Sequence, residues 1–112
     1  MTKEEAIQSI LQKVTGRLAV QEENIFDKSK DRHHIDARHM FYYICKIDAR
    51  HMFYYICKQK NINIHYIQSF ADQYFNTKPD HSTIIYAQNK MESKVKKDKH
   101  WKDLHKEIIT NK

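Results

Sequence analysis

Residues 35–46 read IDARHMFYYICK, and residues 47–58 read IDARHMFYYICK again, with no linker between the copies. Diverged structural repeats are seldom identical, and a solenoid needs about three units. The pair therefore reads as a recent or engineered tandem duplication. Removing one copy of 12 residues from the 112 leaves a parent of 100. No Gly, Pro or Asn interrupts the chain from Ile35 to Lys60. Met40, Phe41 and Ile44, then Met52, Phe53 and Ile56, follow helical spacing, and MFYYIC does not alternate with polar residues as a half-buried strand would. The spacing predicts one long helix over 35–60. Continuing as helix satisfies each backbone group locally. Looping the surplus out would expose large apolar side chains.

Twelve residues at about 100° each make about three turns plus 120°, with a rise of about 18 Å. The duplication therefore displaces whatever precedes it from whatever follows it. On that geometry the opening helix can no longer pack on the rest of its own chain. Its apolar face, Ile7, Ile10, Leu11 and Val14, then needs a second chain. The expectation is a two-fold homodimer formed by helix exchange. A monomer with one copy in the parental position and the other bulged or appended is the alternative. Cys45 and Cys57 are one parental residue twice, expected to be a buried, inert thiol. About 18 Å apart on one helix, they are too distant for a disulfide.

The remaining segments also read as helix. Thr2 with Glu5 is a capping box, Ile7 to Val14 give a helical stripe, and Gly16 can stop it, so the first helix is expected over 2–16. Residues 17–34 look irregular, with a turn around Glu22–Phe26 and a basic loop over 28–34. Asn61 and Asn63 break the long helix. Ile64, Ile67, Phe70, Ala71 and Tyr74 carry another, and Asn76-Thr77-Lys78 is a turn. Thr77 with Asp80 starts the next helix, with Pro79 in its first turn, and Ile84, Ile85, Gln88, Met91 and Val95 continue it. Lys96 to Lys99 read as a charged hinge. Trp101, Leu104 and Ile108 give a last helix over 100–109. The fold class is all-α, in a single domain over 1–112.

Composition narrows the chemistry. Twenty basic against 14 acidic residues give a net charge of +6 and a pI near 9.3. A single Gly excludes a Walker A loop and a dinucleotide fingerprint. No nucleophile motif and no paired carboxylate in an apolar setting supports an enzyme. Neither cysteines nor histidines have zinc-site spacing, so no metal or cofactor is expected. No small-molecule substrate is implied. No run nears the roughly 18 apolar residues of a membrane helix. The N-terminus has no apolar leader core, which points to a cytoplasmic chain.

Helix, short turn, helix in a basic chain is the outline of a helix-turn-helix DNA reader over 64–93. Asp80, His81, Ser82 and Thr83 open the second helix, where recognition helices touch base edges. Asp can accept from cytosine N4, Thr can meet a thymine methyl, and His or Ser can donate or accept. The bland alternative is a polar N-terminal cap facing solvent.

The stretch Pro79-Asp80-His81-Ser82-Thr83-Ile84-Ile85-Tyr86-Ala87, followed by Lys90-Met91-Glu92, resembles the signature of the C-terminal DNA-binding domain of the bacterial chromosomal replication initiator DnaA. That signature reads approximately Arg-Asp-His-Thr-Thr-Val-Leu-His-Ala, then Lys-Ile-Glu. Ala37 to Ile44 looks like the start of the family's long central helix, and the stretch from Lys28 to Arg38 like its basic loop. The resemblance implies a Trp-repressor-like helix-turn-helix bundle that binds duplex DNA sequence-specifically, without the initiator's ATPase module. It implies base contacts from Asp80, His81 and Ser82, with Thr83 near the backbone. It implies minor-groove or phosphate contacts from Lys30 or Arg32, with Lys28 and Arg38 nearby. The chain departs from the family at Pro79, where the signature has Arg, so Lys78 would have to supply that phosphate contact. Asn76-Thr77 replaces a Gly-Gly turn. The other functional class is a helical interaction or structural module that has lost DNA binding.

Overall fold

The computed structural model describes residues 2–18, 20–22, 25–26 and 37–110, with the backbone alone over 37–46. Five helices follow one another: α1 (Lys3–Arg17), α2 (Ala37–Gln59), α3 (Ile64–Phe75), α4 (His81–Lys97) and α5 (Lys99–Thr110). No strand occurs among the described residues. The chain is all-α.

α1 begins where Thr2 caps it. The Thr2 hydroxyl oxygen accepts from the Glu5 backbone N–H at 3.1 Å, and its hydroxyl donates to Glu5 Oε1 at 3.2 Å. Acidic Glu4 and Glu5 in the first turn suit the positive end of the helix. Gly16 does not stop it. No glycine has positive φ, and the helix runs on to Arg17, with Leu18 closing it through backbone bonds to Val14 and Gly16. Just past the helix end the Val20 N–H returns to the Thr15 carbonyl at 2.9 Å.

One helix, α2, runs from Ala37 in the first copy through the end of the second. In the second copy Met52, Phe53, Tyr54, Tyr55, Ile56 and Cys57 are all buried. Six consecutive buried residues leave no solvent face, so this part of α2 is a central helix surrounded by its neighbours. α1 contributes Ile7, Ile10, Leu11 and Val14 to the same core, α4 contributes Ile84, Ala87, Met91 and Val95, and α5 contributes Leu104 and Ile108. Phe26 closes the core from the irregular segment, edge-on to Phe53 with ring centroids 5.9 Å apart. Arg50 holds Ile25, beside Phe26, its Nε donating to the Ile25 carbonyl at 2.7 Å.

This arrangement corrects one expectation. α1 packs on its own chain, against the second copy, and its end is tied to α5 by the Arg17–Glu107 ion pair. The duplication does displace what precedes it by about 18 Å. Copy 47–58 takes the core position, and the described backbone of the first copy, from Ala37, continues α2 upstream of it. Packing therefore does not require helix exchange with a second chain.

Beyond α2 the breaks fall where short polar residues sit. Asn61 adopts positive φ (61°), and Ile62 N–H returns to the Cys57 carbonyl at 2.9 Å. Asn63 caps α3, its side chain accepting from Tyr66 N–H at 2.8 Å. Asn76 closes α3 in the left-handed region at φ 51°, ψ 41°, which Asn tolerates better than other non-glycine residues. The charged run near residue 98 is a single break at Asp98 rather than a hinge of several residues.

Candidate nucleic-acid interface

α3 and α4 are joined by residues 76–80, a longer connection than the three-residue turn read from the sequence. Pro79 does not lie in the first turn of α4. It precedes Asp80, the capping residue, and is fully buried, with its carbonyl accepting from Gln68 Nε2 at 2.8 Å. That bond and the buried ring lock the connection onto α3 and so fix how α4 departs from it.

Asp80 has the extended backbone of a helix cap (φ −67°, ψ 149°), yet its side chain makes no capping hydrogen bond. Its carboxylate is exposed, as are His81 and Ser82, while Thr83 is half-buried and Ile84 is wholly in the core. The helix start thus presents an uncommitted carboxylate, an imidazole and a hydroxyl beside the N–H groups that no helix satisfies internally. Lys78, in the connection, is also exposed. The structure therefore brings Lys78, Asp80, His81 and Ser82 to one end of α4. Lys28, Lys30 and Arg32 lie outside the described residues, and Arg38 lies in the part of α2 described by its backbone alone.

The N-terminus of α3 stands beside the N-terminus of α4. The rings of His65 and His81 are 5.8 Å apart. An open depression of about 460 Å³ lies between the two helix starts, lined in part by Lys58, Asn61, Asn63, His65 and His81. Two positive helix ends next to a lysine favour an anionic partner.

Further along α4 the exposed side carries Ile85, Tyr86, Asn89 and Lys90. Ile85, read from the sequence as part of the buried stripe, is 38% exposed and Tyr86 62% exposed. Ala87 takes the core position instead, since Ile84, Ala87, Met91 and Val95 are spaced 3, 4 and 4 apart. Lys90 lies over the Tyr86 ring, 5.8 Å from its centroid. The sequence reading gives no DNA contact to Lys58, His65, Tyr86 or Lys90, although Tyr86 and Lys90 fall within the signature stretch. Tyr86 and Lys90 were within reach, lying four and eight residues after Ser82 on one helix face. Lys58 and His65 were not, because a helix–helix juxtaposition brings them to His81.

The opposite face of α4 is structural. Gln88 is buried and donates to the Tyr54 carbonyl at 3.0 Å, and Lys94 pairs with Asp48 at 2.9 Å while lying over the Trp101 ring. Lys94 is thus held within the fold. Among the described residues no group of three or more His, Cys, Asp or Glu is placed to hold a metal ion. No helix among them is long and apolar enough to cross a membrane. Compared with known protein families, characterised proteins and solved structures, the chain gives no match.

Proposed function

We propose that this chain binds duplex DNA in a sequence-specific way, with α3 and α4 acting as a helix-turn-helix and the start of α4 entering the major groove. The observation that carries this reading is the free end of α4. Asp80 is a capping residue whose carboxylate does not cap, and His81 and Ser82 beside it are exposed. A helix start that served only stability would use that carboxylate on its own N–H groups. Here it stays available to accept from a cytosine amino group, while His81 and Ser82 reach neighbouring base edges. Thr83, half-buried, lies closer to the DNA backbone. Lys78 and the paired starts of α3 and α4 take phosphates, and Lys28, Lys30, Arg32 and Arg38 supply further backbone or minor-groove contacts. This division of labour follows the resemblance to the replication initiator's DNA-binding domain, which implies binding without the ATPase module.

The decisive experiment selects duplexes from a library with a randomised centre, then measures anisotropy on the selected duplex and on an unselected one. His81→Ala should weaken the selected complex by about 1–3 kcal/mol and leave the unselected one nearly unchanged. Equal losses on both duplexes would remove His81 from base reading. A second reading, a protein-docking module, draws on the exposure of Ile85 and Tyr86. It foresees no enrichment from the library and little dependence of DNA affinity on salt, whereas a DNA reader loses affinity steeply as salt rises.

A further inference from the structure

The core holds one seat for IDARHMFYYICK, and the chain carries two identical occupants. The second copy sits in it through residues that the first copy repeats without change. Met52, Phe53, Ile56 and Cys57, buried in the seat, have counterparts in Met40, Phe41, Ile44 and Cys45. The polar anchors are repeated too. Arg50, which donates to the Ile25 carbonyl, has its counterpart in Arg38, and Asp48, which pairs with Lys94, has its counterpart in Asp36. Nothing inside the repeat distinguishes the two.

What selects the observed copy lies just after it. His105 Nε2–H donates to Gln59 Oε1 at 2.6 Å, and Gln59 Nε2 donates to the Tyr55 hydroxyl at 3.2 Å. Asn61 then turns the chain in the left-handed region, and Ile62 is buried beside the core. With the first copy seated, Ile47 would follow in place of Gln59, and those contacts would be lost.

We propose that α2 is a two-register helix, in which copy 35–46 can replace copy 47–58 in the seat formed by α1, α4 and α5. The exchange moves the twelve surplus residues from before the seated copy to after it. Both registers bury the same side chains and keep the same anchors, so they differ only by the contacts of residues 59–62 and by the placement of the surplus. Two packings of one sequence that differ so little are the condition for a bistable fold. The observed register is the major one because it alone keeps the Gln59–His105 bond and the Asn61 turn.

Thiol labelling of the full chain tests this without DNA. Cys57 is buried and free, so it labels only when its register opens. In a Cys45→Ser background, Phe41→Asp bars the first copy from the seat and leaves the sequence of the seated copy, 47–58, unaltered. It should slow Cys57 labelling at least tenfold. Conversely, Phe53→Asp should leave a cooperatively melting chain in which Cys57 labels fast and Cys45, followed in a Cys57→Ser background, becomes protected at least tenfold. Phe41→Asp combined with Phe53→Asp should abolish the cooperative transition. An unchanged Cys57 rate in Phe41→Asp, or a Phe53→Asp chain as unfolded as the double variant, overturns the proposal.

Discussion

His51 is a residue whose charge state the fold controls. It lies between the core and the basic side of α4, and its Nδ1 is buried without a hydrogen-bond partner. Burial, reinforced by the positive charges of Lys90 and Arg50, lowers its pKa to about 4. Unfolded, the same imidazole titrates near the ordinary value of 6.5. Between those values the unfolded chain holds a proton that the folded chain refuses. The stability contributed by neutral His51 is therefore complete above pH 6.5 and is lost as pH falls toward 4. Discounted for partial exposure, the loss is on the order of 1–2 kcal/mol. Urea titrations across this range should give a shallower slope for His51→Gln than for the unaltered chain. Some slope should remain, because burial also lowers the pKa of His105. Gln88 makes a second residue-scale case. It is 4% exposed and reaches the Tyr54 carbonyl from the facing helix. Gln88→Ala should cost about 1–3 kcal/mol by urea unfolding, as loss of a buried hydrogen bond does. A change below 0.3 kcal/mol would mean that bond is dispensable.

At the scale of elements, α5 illustrates how little surface charge contributes beside burial. It closes the core through Leu104 and Ile108, which are 8% and 2% exposed. It is also joined to α1 by Arg17–Glu107, whose side chains are 51% and 53% exposed. Ile108→Ala should destabilise by about 2–4 kcal/mol. Glu107→Gln should change stability by less than about 0.5 kcal/mol, because an exposed pair is screened and entropically costly. Thermal melts of the two variants in one buffer compare them directly. α4 divides along its length in the same manner. Its inner face is set by packing against α2, and that packing leaves Ser82, Tyr86 and Lys90 outward. On the proposed DNA-binding reading, Lys90→Ala should weaken DNA binding and reduce its salt dependence, leaving the melting temperature nearly unchanged, as loss of a phosphate contact would.

For the whole molecule, the question is what the surplus copy does to a domain that holds one seat. α1 reaches that seat from its own chain, so deletion of residues 35–46 should leave the core intact. We expect the shortened chain to melt cooperatively within about 1 kcal/mol of the full chain, since the length of a connection costs little. A loss of more than about 3 kcal/mol would mean the first copy contributes to the core, a contribution of the size of a buried side chain. In light scattering, a mass near the 13.6 kDa of one chain at all concentrations fits the closed packing seen here. A mass near twice that value would show that chains exchange helices even though packing does not oblige them to.

The order and extent of the helices were legible in the sequence, because their signals are local. Thr2 and Asn63 cap by reaching N–H groups three residues on, Asn61 and Asn76 take left-handed turns, and apolar residues recur at helical spacing. The uninterrupted stretch from Ile35 also identified α2 as a single helix across both copies. The candidate site was legible only at the start of α4, where Asp80, His81 and Ser82 are consecutive. Lys58 and His65 join them through the packing of α3 against α4, which no spacing encodes. The seating of the repeat was not legible at all, because identical copies carry identical local signals. Choosing between them needed Gln59 to meet His105, 46 residues away, and Ile62 to find the core. For the same reason the isolation expected of α1 did not occur. The displacement of about 18 Å follows from helix geometry alone, but the side of the core on which it falls is decided by contacts between residues far apart in the chain.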